Sequence, residues 1–183
     1  MNTAKPIKSQ GKETEIKPWA EVLADGTQVV VRKIAPMDAK LERAFTDSLS
    51  PELRSFDFLG QLRPSSSTLP TQFDIDHANV MSLGAFTTVD GKETLLGIGR
   101  YSPARDGSSC ECQLTLSEAW HHKGLGTVLI KHLIEVARKR DIFYMFAVGG
   151  MENTEMAELA QRLGFTRQVD PQDPAQAIYS IWI

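Results

Sequence analysis

Cysteine is scarce in this chain of 183 residues, which contains two, Cys110 and Cys112. On a strand, two residues separated by one position point to the same face. Residues 1–18 are polar and Lys-rich and lack the apolar centre of a secretory signal. We therefore expect a cytoplasmic protein with reduced thiols. The pair fits no zinc-ligand spacing, even with His121 and His122 downstream, so no metal site is expected.

Long apolar runs, a basic excess and internal repeats are also missing. No segment approaches the ~20 apolar residues of a membrane-spanning helix. The net charge of -3 argues against a nucleic-acid binder. The basic cluster Arg138, Lys139 and Arg140 is interpreted as the cationic last turn of a helix. Neither a membrane nor a nucleic acid is expected as a partner.

The hydrophobic content of 42% is enough to build the core of one domain. Residues 1–18 are predicted to be a polar tail, and residues 19–183 a single domain. Residue patterns predict strands at Thr27 to Ile34, Val80 to Val89, Glu93 to Tyr101, Ser109 to Leu116, Ile142 to Val148 and Ala177 to Ile183. Helices are predicted at Asp38 to Ser48, from Ser50 onward, at Thr127 to Arg140 and at Thr154 to Leu163. This order favours a mixed α/β sheet over a barrel or a repeated βαβ unit.

The segment from Trp120 to Thr127 has the pattern of a phosphate-binding loop. Gly124 and Gly126 stand between a strand and a long helix. Glycine lets backbone N–H groups turn toward a ligand, and a helix N-terminus adds unpaired donors and a positive dipole end. Such a loop suits a diphosphate, with Lys123 as a nearby cation. The NTPase and dinucleotide-binding fingerprints are absent. On these residues alone, a plain glycine turn before a helix stays an alternative.

Two motifs together resemble those of the GNAT-type N-acetyltransferases. The spacing of His121, Gly124 and Gly126 is similar to the family's pyrophosphate loop, Q/R-x-x-G-x-G/A, with His121 in place of Gln or Arg. The family's second signature, N-x-x-(A/M) followed by G-F, is similar to the segment that runs from Asn153 to Phe165. Further stretches from Leu23 to Glu52 resemble the branch that contains the acetyltransferase domains of bacterial protein-lysine acetyltransferases.

The resemblance implies a fold, a reaction and a binding site. The fold is the GNAT acyl-CoA N-acyltransferase fold, a central, mostly antiparallel, twisted sheet flanked by helices. The reaction is transfer of acetyl from acetyl-CoA, used as co-substrate without a metal, to a primary amine by direct attack in a ternary complex. The amine belongs to a protein lysine or a small molecule, and a homodimer is left open. The implied cofactor contacts are Leu114, Thr115, Leu116, His121, His122, Lys123, Gly124, Leu125, Gly126, Thr127 and Asn153.

The resemblance also implies catalytic roles. The backbone N–H of Leu114 is assigned to the oxyanion. Glu111 is assigned as the base, because the resembling branch carries a glutamate on this strand; a solvated glutamate on an edge strand is the alternative. Where the family often has a tyrosine as general acid, this chain has Ala160. Cys112 or water is then the candidate acid.

Two readings without catalysis stay open at this point. One is a non-catalytic acyl-CoA-binding regulatory module on the same fold, favoured by the missing tyrosine and the exchange at His121. The other is an α/β interaction domain without a cofactor, which the paired motifs disfavour. Glu111 is the feature that separates the enzyme from the binding module.

Overall fold

The computed structural model of the chain describes residues 16–50, 76 and 79–183. These residues form one eight-stranded sheet with the strand order β1-β2-β3-β4-β5-β6-β8-β7. The strands are β1 (Trp19–Val22), β2 (Gln28–Lys33), β3 (Met81–Val89), β4 (Lys92–Pro103), β5 (Ser109–Leu116), β6 (Tyr144–Gly150), β7 (Thr166–Val169) and β8 (Gln176–Trp182). The helices are α1 (Ala39–Ser48), α2 (Leu125–Arg138) and α3 (Thr154–Arg162), with short 3₁₀ turns at Pro36–Asp38 and Glu118–Trp120.

The sheet is antiparallel except where β5 pairs with β6. The hairpin between β3 and β4 turns at Asp90 and Gly91, whose φ values of 50° and 75° suit a two-residue turn with both residues left-handed. This confirms the predicted mixed α/β sheet, mostly antiparallel and flanked by helices. Among the described residues, no helix is both long and apolar enough to cross a membrane.

Helix α2 provides the largest apolar contact with the sheet. Its buried face includes Leu129 and Leu133, which pack into the main core over β3, β4 and β5. Gly99 of β4 allows this close approach, because a Cβ atom there would lie 2.8 Å from Leu133 Cδ1. Tight packing therefore fixes the position of the α2 N-terminus relative to β5, next to the cavity described below.

Helix α1 is joined to β2 by an ion pair. Arg32 donates to both carboxylate oxygens of Asp38, at 2.7 and 2.9 Å. Asp38 is 3% exposed and also accepts a hydrogen bond from the N–H of Ala35. The guanidinium of Arg32 lowers the pKa of Asp38 below its ordinary value. The predicted helix start near Asp38 is thus confirmed.

Two strands were not predicted from the sequence. They are β1, immediately after the predicted tail, and β7, a four-residue strand that is exposed along its whole length. Short edge strands show little hydrophobic alternation, because they have few residues and much of their surface faces solvent. Helix α2 also begins at Leu125 rather than Thr127. The predicted helix from Ser50–Pro51–Glu52 lies outside the described residues.

Candidate functional site

The strands β5 and β6 separate after a short paired segment. They are in register only from Ser109 to Glu111 against Tyr144 to Phe146. Beyond Glu111, β5 continues beside β4 to Leu116, while β6 continues beside β8 to Gly150. A cavity of about 640 Å³ occupies the resulting gap and extends to the loop before α2 and to the start of α3. The functional site is therefore built where the sheet opens.

Backbone groups of β5 face this gap. The N–H of Ser117 donates to Leu96 O on β4, and Ser109 O accepts from the N–H of Ala104. In an antiparallel ladder, alternate residues point their N–H and C=O groups to the same neighbour. Ser109 and Ser117 bond to the β4 side, so the residues at even-numbered positions of β5 direct their N–H and C=O groups away from β4. Leu114, which is opposite Gly99, is one of them. This places the Leu114 N–H, the predicted oxyanion donor, in the gap.

Side chains of β5 alternate between the two faces of the sheet. Leu114 contacts the α2 face, since its Cδ2 would lie 3.0 Å from a Cβ added at Gly126. Glu111 points to the opposite face, as expected for a residue three positions away on a strand. Both line the same cavity. Residues whose side chains point to opposite faces of the sheet thus line one cavity.

Glu111 lies at the point where β5 and β6 separate. It is paired in register with Ser102 on β4 and with Phe146 on β6, and it is 8% exposed. This position rules out the alternative of a solvated glutamate on an edge strand. Its place in the cavity lining, where the two strands separate, favours a functional role.

The two glycines of the loop have different structural roles. Gly124 is the residue before α2, with φ of 87°, a left-handed conformation that glycine adopts without strain. Gly126 lies within the first turn of α2, where an added Cβ would be 3.0 Å from Leu114 Cδ2 and 3.2 Å from Leu159 Cδ2. Gly126 therefore allows α2 to approach β5 and α3, and Gly124 shapes the loop itself.

The histidines before the loop share one carboxylate. His121 Nδ1 lies 3.1 Å from Glu155 Oε2, and His122 Nε2 lies 3.2 Å from Glu155 Oε1. All three residues line the cavity. Glu155 is in the first turn of α3, where an acidic side chain is favoured by the helix dipole. A bound diphosphate would compete with Glu155 for these imidazole donors.

Lys123 is the exception among the predicted cofactor contacts. Its ammonium lies 3.1 Å from Asp25 Oδ2 and 4.3 Å from the centre of the Trp120 ring, and its side chain is outside the cavity lining. Lys123 thus links the loop to the β1–β2 turn, and its contact with a cofactor stays a prediction. The other predicted contacts line the cavity together: Leu114, Thr115, Leu116, His121, His122, Gly124, Leu125, Gly126, Thr127 and Asn153.

Asn153 is the N-cap of α3. Its side-chain oxygen accepts the N–H of Met156 at 2.9 Å. An asparagine cap satisfies one of the unpaired donors at a helix start. The residue therefore positions α3 at the edge of the cavity, whatever contact it makes with a ligand.

The two cysteines are buried side by side on the face opposite Glu111. Burial raises the pKa of both thiols, and nearby acidic or thiol groups raise it further. For Cys112, which lines the cavity, the pKa is raised to about 12. Because the thiolate is the nucleophilic form of cysteine, this environment disfavours a covalent acyl-cysteine intermediate.

Replacing both Cys110 and Cys112 by serine is expected to keep turnover within about threefold, because neither thiol is needed as nucleophile. Stability should fall by about 1–3 kcal/mol for each new hydroxyl left without a partner in the core. Urea unfolding and steady-state kinetics measure the two effects. A folded variant that binds acetyl-CoA but is inactive would contradict this, as would an acetyl-thioester detected on the protein by mass spectrometry.

Sequence reasoning missed several residues of the cavity, including Glu155 and Tyr179. Glu155 has no signal beyond being an acidic residue near a helix start. Tyr179, on β8, reaches the cavity only through the pairing of β8 with β6. Among the described residues there is no group of three or more His, Cys, Asp or Glu side chains that could hold a metal ion.

A sheet that opens at one strand pair, next to a glycine loop and a helix N-terminus, provides a cavity with backbone donors suited to an anionic group. Comparison with known proteins agrees with this. The family model "Acetyltransferase (GNAT) family" matches residues 47–165. Acetyltransferase PA5475 of Pseudomonas aeruginosa is 37% identical over 164 residues, covering 89% of this chain and 88% of that protein. The chain belongs to the GNAT acetyltransferase family and is an acyltransferase.

Solved structures support the fold. The GNAT domain of PAT from S. lividans matches with a TM-score of 0.69 and 19% identity, covering 91% of this chain and 97% of that one. A cAMP-binding acyltransferase from Mycobacterium smegmatis matches with a TM-score of 0.59 and 17% identity. The match covers 91% of this chain and 47% of that longer one. At these identities, the likeness concerns the fold alone.

The residues around the cavity fit coenzyme A. The first turn of α2 presents N–H groups that have no partner within the helix, and Gly124 adds no side chain that would cover them. Apolar side chains of Leu114 and Leu116 follow along β5, suited to the uncharged arm of the cofactor. The Leu114 N–H then faces the gap. The phosphate donors of α2, the apolar side chains of β5 and the Leu114 N–H thus follow one another in the order of the diphosphate, the uncharged arm and the thioester of an acyl-CoA.

Proposed function

We propose that this protein transfers acetyl from acetyl-CoA to a primary amine in a ternary complex. The observation that supports this best is the gap between β5 and β6, which brings the Leu114 N–H and the Glu111 carboxylate to one cavity. The donor and the base belong to the same strand, and the strand alternation aims the Glu111 side chain at one face. A carbonyl held in the gap would be open to attack from the Glu111 side.

Each residue has a definite task in this proposal. The α2 N-terminus and the loop at Gly124 hold the diphosphate. The Leu114 N–H donates to the oxygen that becomes negative when the amine adds to the carbonyl. Glu111 accepts the proton of the attacking amine, directly or through one water. Acetyl-CoA supplies an activated acyl group, and the protein supplies position, an oxyanion donor and a proton acceptor.

The non-catalytic binding module is less well supported. Such a module needs the loop and α2 but has no use for a buried carboxylate at the end of the acyl channel. Glu111 is 8% exposed and lines that channel. The acceptor is proposed to be an amine of a small molecule or of a protein lysine, approaching from the Glu111 face. A buried carboxylate at that face favours an amine over a neutral hydroxyl acceptor.

The test combines binding with a screen of acceptors. Calorimetry should show that the protein binds acetyl-CoA, and incubation with panels of small amines and lysine peptides should release free thiol with at least one class. Glu118→Gln, an exposed change outside the cavity, serves as the active reference. Absence of acetyl-CoA binding by the folded protein would refute the proposal. Binding without acetylation of any acceptor would favour the regulatory module.

A further inference from the structure

Tyr179 has a buried hydroxyl for which the described residues provide no partner. Its side chain is 1% exposed and lines the cavity. Among the described residues, its hydroxyl oxygen makes no hydrogen bond. A buried polar group without a partner costs free energy, and phenylalanine would fill the same space without that cost. The hydroxyl is therefore a candidate contact for a ligand in the cavity.

The pairing of the strands sets the face on which Tyr179 lies. Tyr179 is opposite Ala147 on β6, and Met145, two residues before Ala147, is in register with Cys110 on β5. Residues in register point to the same face, so Tyr179 shares its face with Cys110 and Cys112, and Glu111 is on the other. The ring packs with Ala160 of α3 and with Ala177, where small side chains leave room for it.

The reaction needs a proton on this face. When the C–N bond has formed, the C–S bond breaks and its electron pair goes to sulfur. Cys112 lines the same face, but burial raises its pKa to about 12, which makes it a poor proton donor. The Tyr179 hydroxyl lies on the same face, in a residue of the cavity lining, and is the alternative donor. Glu111 is on the opposite face, from which the acceptor amine is proposed to approach.

We propose that the Tyr179 hydroxyl donates its proton to the leaving sulfur of the acyl donor. This inference rests on the proposed function. The amine nitrogen attacks the carbonyl carbon, Glu111 takes the proton from nitrogen, and the sulfur takes the proton of Tyr179 as the C–S bond breaks. Tyr179 then regains a proton from solvent and Glu111 releases one to solvent. The net transfer is one proton from the amine to the thiol, with no oxidant or reductant.

A binding cycle tests the contact without catalysis. Calorimetry compares CoA with desulfo-CoA, which lacks the sulfur, on the parent protein, Tyr179→Phe and Tyr101→Phe. The parent should bind CoA more tightly by about three- to tenfold, the range of one hydrogen bond, and Tyr179→Phe should lose that difference. Tyr101 is the matched control. It is also 1% exposed, its hydroxyl lies near Arg140, and it is outside the cavity lining.

Activity and stability separate a proton donor from a packing residue. Tyr179→Phe should lower kcat by about 10²-fold, the low end of general-acid effects, with KM for acetyl-CoA little changed. Its thermal midpoint should be unchanged or higher, because an unpaired hydroxyl has been removed. An unchanged CoA preference in Tyr179→Phe, or a loss of activity that follows a loss of stability, would overturn the role of Tyr179. Failure of the parent to bind CoA would instead overturn the proposed function.

Discussion

Replacing Glu111 by glutamine is expected to lower turnover by about 10²–10⁴, the usual contribution of a positioned general base. An alkylammonium has a reference pKa of about 10.4, so at pH 7 little of the amine has a free lone pair. Glutamine keeps the size and polarity of the side chain at this buried position but removes the basic oxygen. The affinity for acetyl-CoA should change little, because the α2 N-terminus and the loop hold the cofactor.

The pH dependence provides the sharper test. The defect of Glu111→Gln should shrink as pH rises toward the pKa of the amine, because more of the acceptor then arrives neutral. Glu118→Gln is the matched control, with the same chemical change at an exposed position outside the cavity lining. Steady-state rates from pH 6 to 10 measure the effect. Equal turnover of Glu111→Gln and the parent across this range would remove Glu111 from the mechanism.

Gly124→Val is expected to weaken acetyl-CoA binding by at least about 100-fold. Gly124 has a φ of 87°, and a β-branched side chain in that region is strained. The loop must therefore adopt another conformation, and its N–H groups turn away from the diphosphate. Hydrogen bonds to charged groups contribute about 1.5–3 kcal/mol each, so losing two accounts for a change of this size. Calorimetry with acetyl-CoA measures it.

A matched control separates backbone strain from loss of the binding loop. Gly107, in the turn between β4 and β5, has a φ of 73° and open space around the position of a Cβ, as Gly124 does. Gly107→Val should therefore destabilise the fold by a similar amount and leave acetyl-CoA affinity unchanged. If Gly124→Val, still folded, bound acetyl-CoA as tightly as Gly107→Val, the loop would not be the diphosphate site.

Local patterns predicted much of this structure. The strand Ser109–Leu116 was placed from its sequence with both ends correct. Gly164 follows the end of α3 with a φ of 83°, the left-handed conformation that glycine commonly adopts after a helix. The loop before α2 was recognised from the spacing of two glycines. Each of these features is determined by interactions within a few residues, which a single sequence displays.

The unpredicted features depend on partners distant in the chain. The separation of β5 from β6 after Glu111 is a property of the sheet, and no residue of β5 alone signals it. The position of Tyr179 follows from the register of β8 against β6. Lys123 adjoins the loop, and its ammonium is paired with Asp25, which is remote in sequence. Adjacency in sequence does not determine the direction of a long side chain.

The short pairing of β5 with β6 has a consequence for local opening of the protein. The sheet consists of two sections, β1–β5 and β6–β8, and their strands share only the pairs from Ser109 to Glu111 with Tyr144 to Phe146. A ligand that fills the gap would contact both sections and bind only when they are held together. It should therefore suppress their separation by mass action. Amide hydrogens of β6 and β8 are expected to exchange more slowly with acetyl-CoA bound, whereas those of β2 and β3 should change little.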